Sequence, residues 1–241
     1  MGHATFSSEA LTEYLKELLF ILYNKEKSLF ENQIHERSVV FRYGIQLDYE
    51  LKTLLAKLNE SQIDGIFVDS EYNKMTDPEN LEFHKKAYGD FNFVLNRVLA
   101  VLRENKYITK DHFSKLTNDQ NYISKNDSKS FMPDLLIHRR GVPTGRYNHI
   151  MLEFKYCSKI SSCSNIEHLK NLIEDIVKLS LANGEQFEYD FTAFVRLCPE
   201  NECMNVISLD FKKLKGNERN KKIADYIKQI QSGCHQNLKS I

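Results

Sequence analysis

The order of its periodic segments constrains this chain more than any other feature. A helical front is followed by β-β-α-β-β and a closing helix. That order predicts an α/β fold: a small mixed β-sheet flanked by helices, with a helical N-terminal region. In the front, Ser7 and Ser8 offer an N-cap, and Leu11, Leu15, Leu18, Leu19 and Leu22 follow at helical spacing. A second helical run is expected from Asn32 to Leu58, with Gly44 inside it as a point of close packing or a bend. Residues 63–72 are β-prone, 91–103 return to a helical pattern, and 117–130 are dense in loop-formers. Residues 132–138 and 148–156 read as strands, joined by a connection holding Gly141, Pro143 and Gly145. Residues 167–181 read as a helix, 187–197 and 204–209 as a hairpin, and 217–231 as a polar helix. One domain over residues 1–241 is expected, with a helical part (1–60), a core (61–211) and a basic C-terminal helix (212–241).

Composition narrows the function classes. With 33 basic and 33 acidic residues the chain is not a uniformly basic nucleic-acid binder, although a local basic face is compatible with that balance. Five Cys with no C-x-x-C pair suggest reduced thiols rather than a disulfide framework or a zinc ribbon. The apolar run 18–23 is far shorter than the roughly 20 residues of a membrane span. A cytoplasmic protein with no membrane partner is the expectation. There is no HExxH, no Gly-rich phosphate loop and no Gly-x-Ser-x-Gly, so metalloprotease, ATPase and serine-hydrolase readings have no foothold.

The chemistry concentrates in two segments. In the strand at 148–156, Ile150, Leu152, Phe154 and Tyr156 share one face, while Met151, Glu153 and Lys155 share the other. A carboxylate and an ammonium inside an otherwise apolar strand are costly unless partnered. Asp134 poses the same question at the start of the neighbouring strand. If the two strands pair, their carboxylates can converge, and converging carboxylates suit a hard divalent cation such as Mg²⁺. The plain alternative is a structural ion pair with a turn-capping Asp.

Pro133-Asp134 and Glu153-Phe154-Lys155, with 18 residues between Asp134 and Glu153, resemble the paired motifs of the PD-(D/E)XK nuclease superfamily. More of the chain resembles a bacterial branch of it: the segment from His35 to Arg42, Val68–Asn73, His138-Arg139 after the Asp strand, Glu174–Leu179, and Tyr189–Phe191. The resemblance implies a restriction-endonuclease-like core and a Mg²⁺-dependent nuclease, with Mn²⁺ able to substitute. It would hydrolyse DNA in preference to RNA by in-line attack of water, leaving 5′-phosphate and 3′-hydroxyl ends. It implies Asp134 and Glu153 as metal ligands, Lys155 as base or charge stabiliser, and Glu36 as a further ligand, direct or through water. A role in prokaryotic defence or mobile-element biology, and a homodimer through the apolar N-terminal helices, are implied on the same grounds. Those helices otherwise complete the core. The alternative on the same fold is a non-catalytic nucleic-acid-binding or protein-interaction module.

Arg139, Arg140 and Arg146 lie in the connection that should border the centre, and Lys212 and Lys213 open a basic run reaching Lys222. These are the candidates for gripping a phosphate backbone, the source of most non-specific affinity. For Glu36 a solvated position or a pairing with Arg37 competes with the ligand role. Local hydrogen bonding at a strand end is the main reading for Glu71 and Asn73, a solvated face for Lys74 and Arg42, and a surface or supporting place for His138 and His149.

Overall fold

The chain's central strand is buried on both faces from His149 to Phe154. In the computed structural model this strand, Asn148–Tyr156, is flanked by partners on both edges. The described residues are 8–31, 36–57, 65–70, 81–118, 133–139, 148–156, 166–182, 189–198, 203–209 and 216–232. Among them, β1 (Ile66–Ser70), β2 (Leu135–Arg139), β3 (Asn148–Tyr156), β4 (Phe191–Cys198) and β5 (Cys203–Leu209) form one sheet in chain order. β3 and β4 run parallel and every other pairing is antiparallel, so the sheet is mixed. A parallel pair needs a long crossover, and the helix at Ile166–Ala182 lies between β3 and β4 in the chain.

Eight helices accompany the sheet among the described residues: α1 (Ser8–Lys25), α2 (Lys27–Glu31), α3 (Glu36–Tyr49), α4 (Leu51–Lys57), α5 (Leu81–Glu104), α6 (Lys110–Asn118), α7 (Ile166–Ala182) and α8 (Gly216–Ser232). They divide between two cores. Leu15, Leu19 and Leu22 of α1 and Val39, Tyr43 and Leu47 of α3 pack with Leu135, Leu152, Phe154 and Val195 of the sheet. On the opposite face, Leu95, Val98 and Leu102 of α5, Leu172, Ile176 and Val177 of α7, and Ile223 and Ile227 of α8 pack with Leu136, Met151 and Phe194. The apolar stripe of α1 is therefore used inside the chain. Burying one such Leu side chain is worth about 1.5–3 kcal/mol.

Two contacts fix α3, the helix whose first residue is Glu36. The Tyr43 hydroxyl donates to the Leu15 carbonyl of α1 at 2.7 Å, and the Tyr43 ring meets Phe154 of β3 edge-on at 5.6 Å. Gly44 allows α3 to approach β2 closely, because a Cβ there would stand 3.2 Å from Leu135 Cδ1. Of its two sequence readings, close packing is the one observed.

Several element boundaries differ from the sequence expectation. The helical run expected from 32 to 58 divides at Glu50 into α3 and α4. The helix expected at 91–103 begins at Leu81, and α6 was not anticipated although Thr109 caps it, accepting the His112 N–H at 3.1 Å. The loop expected at 117–130 lies almost wholly outside the described residues, its first two positions ending α6.

Candidate active site at the end of the central strand

The candidate residues gather where β3 ends, between the two helical layers. Alternation along β3 sends Glu153 and Lys155 to the α7 side with Met151. β2 pairs Leu135 with Leu152, so continuing that register sets Asp134 opposite Glu153. The Phe154 N–H donates to Asp134 Oδ2 at 2.7 Å. Glu36 reaches the same strand end from the other layer, its Oε2 accepting the Tyr156 N–H at 3.2 Å. Two carboxylates are thus pinned by the backbone of β3.

Two lysines and a further aspartate complete the cluster. Lys155 Nζ stands 3.6 Å from Glu36 Oε1 and 3.3 Å from Asp175 Oδ2. Lys178 Nζ stands 3.1 Å from both Glu153 Oε2 and Asp175 Oδ1. Asp175 and Lys178 belong to α7 and meet because residues three apart share a helix face. The result is an alternating chain: Glu36, Lys155, Asp175, Lys178, Glu153. Side-chain exposure is 1% at Glu153 and 8% at Asp175 but 27% at Lys155 and 30% at Glu36, so the cluster opens to solvent at the Glu36 and Lys155 end.

Burial and mutual repulsion shape its electrostatics. Burial, opposed by Lys178 and reinforced by Asp134 and Asp175, pushes the Glu153 carboxyl well above its ordinary value. Burial, with the nearby Asp175 charge, also raises Asp134, and burial against the opposing pull of Lys155 raises Glu36. For both lysines burial works against the charge. Asp175 and Glu36 outweigh it at Lys155, and Glu153 and Asp175 outweigh it at Lys178, so both stay protonated beyond the usual lysine range. The six groups carry a formal charge of −2. Glu153 Oε1 is buried and has no hydrogen-bond partner among the described residues.

Among the described residues no three His, Cys, Asp or Glu side chains form a ready ligand set for a metal ion. In the chain of contacts, ammonium groups stand between the carboxylates of Glu36, Asp175 and Glu153. The donor set is nevertheless of the right kind for a hard dication: oxygen donors, excess formal negative charge and one carboxylate oxygen buried without a hydrogen-bond partner among the described residues.

The remaining sequence candidates fall elsewhere. Arg139 ends β2, and its side chain lies outside the described set. Arg140, Arg146, Lys212, Lys213, Glu71, Asn73 and Lys74 also lie outside the described residues. Arg42 pairs with Glu26 on the surface. Arg219, within the basic run, donates to the Ser180 carbonyl at 3.0 Å and ties α8 to the end of α7. Lys221 and Lys222 are exposed. His138 is not a surface residue: it is fully buried, and its Nε2 lies 2.8 Å from Asp69 Oδ2 because both side chains project from paired strands onto one face. His149 is likewise buried, 3.3 Å from Asp190 Oδ2.

Sequence reasoning assigned no role to Asp175, Lys178, Arg196 or Tyr226. Arg196 is buried on β4 as the register partner of Lys155. The Tyr226 phenol of α8 is raised by burial and by the charges of Asp175 and Glu153. An acid and a lysine three apart on the otherwise apolar face of 167–181 were the readable sign of the first pair. No protein-family model matches the chain, and neither a curated protein nor a solved structure does.

Proposed function

We propose that this chain is a Mg²⁺-dependent nuclease with a restriction-endonuclease-like core that hydrolyses phosphodiester bonds, with DNA as its substrate. The observation that carries the reading is the cluster at the end of β3, where six neighbouring groups hold a formal charge of −2 around a buried Glu153 oxygen that has no hydrogen-bond partner among the described residues. Uncompensated buried charge is costly, and a dication offsets it.

Asp134 and Glu153 would hold the ion, with Glu36 joining directly or through water. The bound ion supplies Lewis-acid polarisation of the phosphoryl group and a lowered pKa for water. The chain's own groups do the rest. The Phe154 and Tyr156 N–H groups fix Asp134 and Glu36 in orientation. Lys155, held between Glu36 and Asp175 at the exposed end, presents a positive charge where phosphate would enter. It neutralises the negative charge that develops on the phosphoryl oxygens in the transition state. Its place between two carboxylates favours that role over the role of base.

The test is a panel of end-labelled single-stranded DNA, duplex DNA and RNA incubated with Mg²⁺ or with a chelator. Mg²⁺-dependent cleavage of DNA, lost in Asp134→Asn and Lys155→Ala, is the expected result. Cleavage unchanged in either variant overturns the assignment. Salt-sensitive binding without cleavage by the unaltered protein would make it a binding module instead.

A further inference from the structure

Two ammonium groups occupy the cluster, and they are not equivalent. Lys155 sits at the solvent end, against Glu36 and Asp175. Lys178 sits deeper and is the lysine that touches Glu153, which is fully buried. Lys155, the lysine of the Glu-x-Lys motif, makes no described ion pair with the Glu of that motif, since its ammonium is drawn to the other two carboxylates. The cation neutralising Glu153 therefore comes from α7.

We propose that Lys178 is a resident cation that occupies the Glu153 carboxylate until a divalent ion displaces it. This rests on the metal-dependent reading above. Lys178 holds Glu153 Oε2 at 3.1 Å while Glu153 Oε1 is buried without a partner among the described residues. One oxygen is taken and the other waits. Lys178 also has a second anchor on its own helix, Asp175 Oδ1 at 3.1 Å. A lysine on a flexible four-carbon stem can release Glu153 and keep Asp175, so displacement does not leave the ammonium buried and unpaired. The exchange is a swap of ion pairs: Glu153 passes from the ammonium to the dication, and any proton its carboxyl holds leaves to solvent.

A resident cation sets a threshold. The ion must compete with an ammonium already in contact with its ligand, so affinity is lower than the same carboxylates would give without it. Weak sites of this kind fill only when free dication is plentiful.

The experiment is a calorimetric titration of Mn²⁺ into the full chain, with Lys178→Met, Lys178→Arg and Asp134→Asn beside the unaltered protein. Lys178→Met is expected to bind Mn²⁺ on the order of tenfold tighter or more, because a unit charge about 3 Å from the ligand oxygen has been removed. Lys178→Arg keeps the charge in a broader, forked group and is expected to bind more weakly than the unaltered protein. It also keeps the test open should the Met variant fail to fold. Affinity in Lys178→Met equal to or below that of the unaltered protein overturns the resident-cation role but leaves the metal site standing. Affinity in Lys178→Arg equal to or above that of the unaltered protein does the same. Absence of Mn²⁺ binding in all four proteins at millimolar ion overturns both. Binding lost only in Asp134→Asn, with the two lysine variants moving in opposite directions, is the result the proposal requires.

Discussion

The two faces of the sheet are built on different principles. Toward α1 and α3 the strands present Leu135, Ile137, Leu152, Phe154 and Val195, and the buried Tyr43 hydroxyl there is satisfied by Leu15. Toward α7 the strands present Asp69, His138, Glu153, Thr192 and Arg196, all buried, and α7 adds Asp175 and Ser180. One face maximises packing. The other keeps ionisable groups in a place where each costs free energy unless partnered. A sheet that confines its buried charge to one side and gathers carboxylates at one strand end has given up stability there, and such concessions concentrate at functional sites.

The comparison breaks most sharply under mutation. Asp134→Asn should lower Mg²⁺-dependent cleavage by about 10²–10³-fold or more. Its amide oxygen still accepts the Phe154 N–H, so thermal unfolding should stay within a few degrees of the unaltered protein. A large loss of stability would make Asp134 structural and erase the contrast. On the opposite face, Leu19→Ala should cost about 2–5 kcal/mol in denaturant unfolding, while the folded fraction keeps its Mn²⁺ affinity. Altered affinity there would show that the faces are coupled.

A smaller effect follows from pH. With chelator present, Glu153 has its carboxyl raised well above 4.5, by burial first. The native state then holds a proton that the unfolded chain has already lost. Stability therefore falls as pH rises from 4.5 through the native pKa of Glu153. Glu153→Gln should flatten that fall and raise stability at neutral pH by about 1 kcal/mol. Unfolding curves with the same pH slope in both proteins would contradict the electrostatic account. Tyr43→Phe is the mildest probe, costing about 1–1.5 kcal/mol for the lost bond to Leu15. It should loosen Glu36 without removing it, and a measured Mn²⁺ affinity unchanged within error would separate the anchoring of α3 from the site.

Much of the fold was legible because local pattern and final environment agree. β3 has the bounds read from its alternation, and α7 and α8 differ from expectation by one residue at each end. The break at Glu50 was not legible, because apolar spacing continues across it from Leu47 to Leu51 and Leu54. The first turns of α5 carry Glu, His and two Lys, which mask the helical stripe. At the site, alternation foretold the shared face of Glu153 and Lys155, but not their partners. Glu36 and Tyr156 are 120 positions apart, and Lys178 lies 25 beyond Glu153. Only the packing of α3 and α7 against the strand end brings them together. The surface reading of His138 fails for the same reason, since its partner Asp69 is 69 positions away.

Mn²⁺ introduced into crystals of the full chain, located by its anomalous scattering, tests the central claim most directly. The account predicts a peak between the carboxylates of Asp134 and Glu153, with Lys178 drawn away from Glu153 toward Asp175. Ions seen only at other places on the molecule, with the Lys178–Glu153 contact intact, would contradict it.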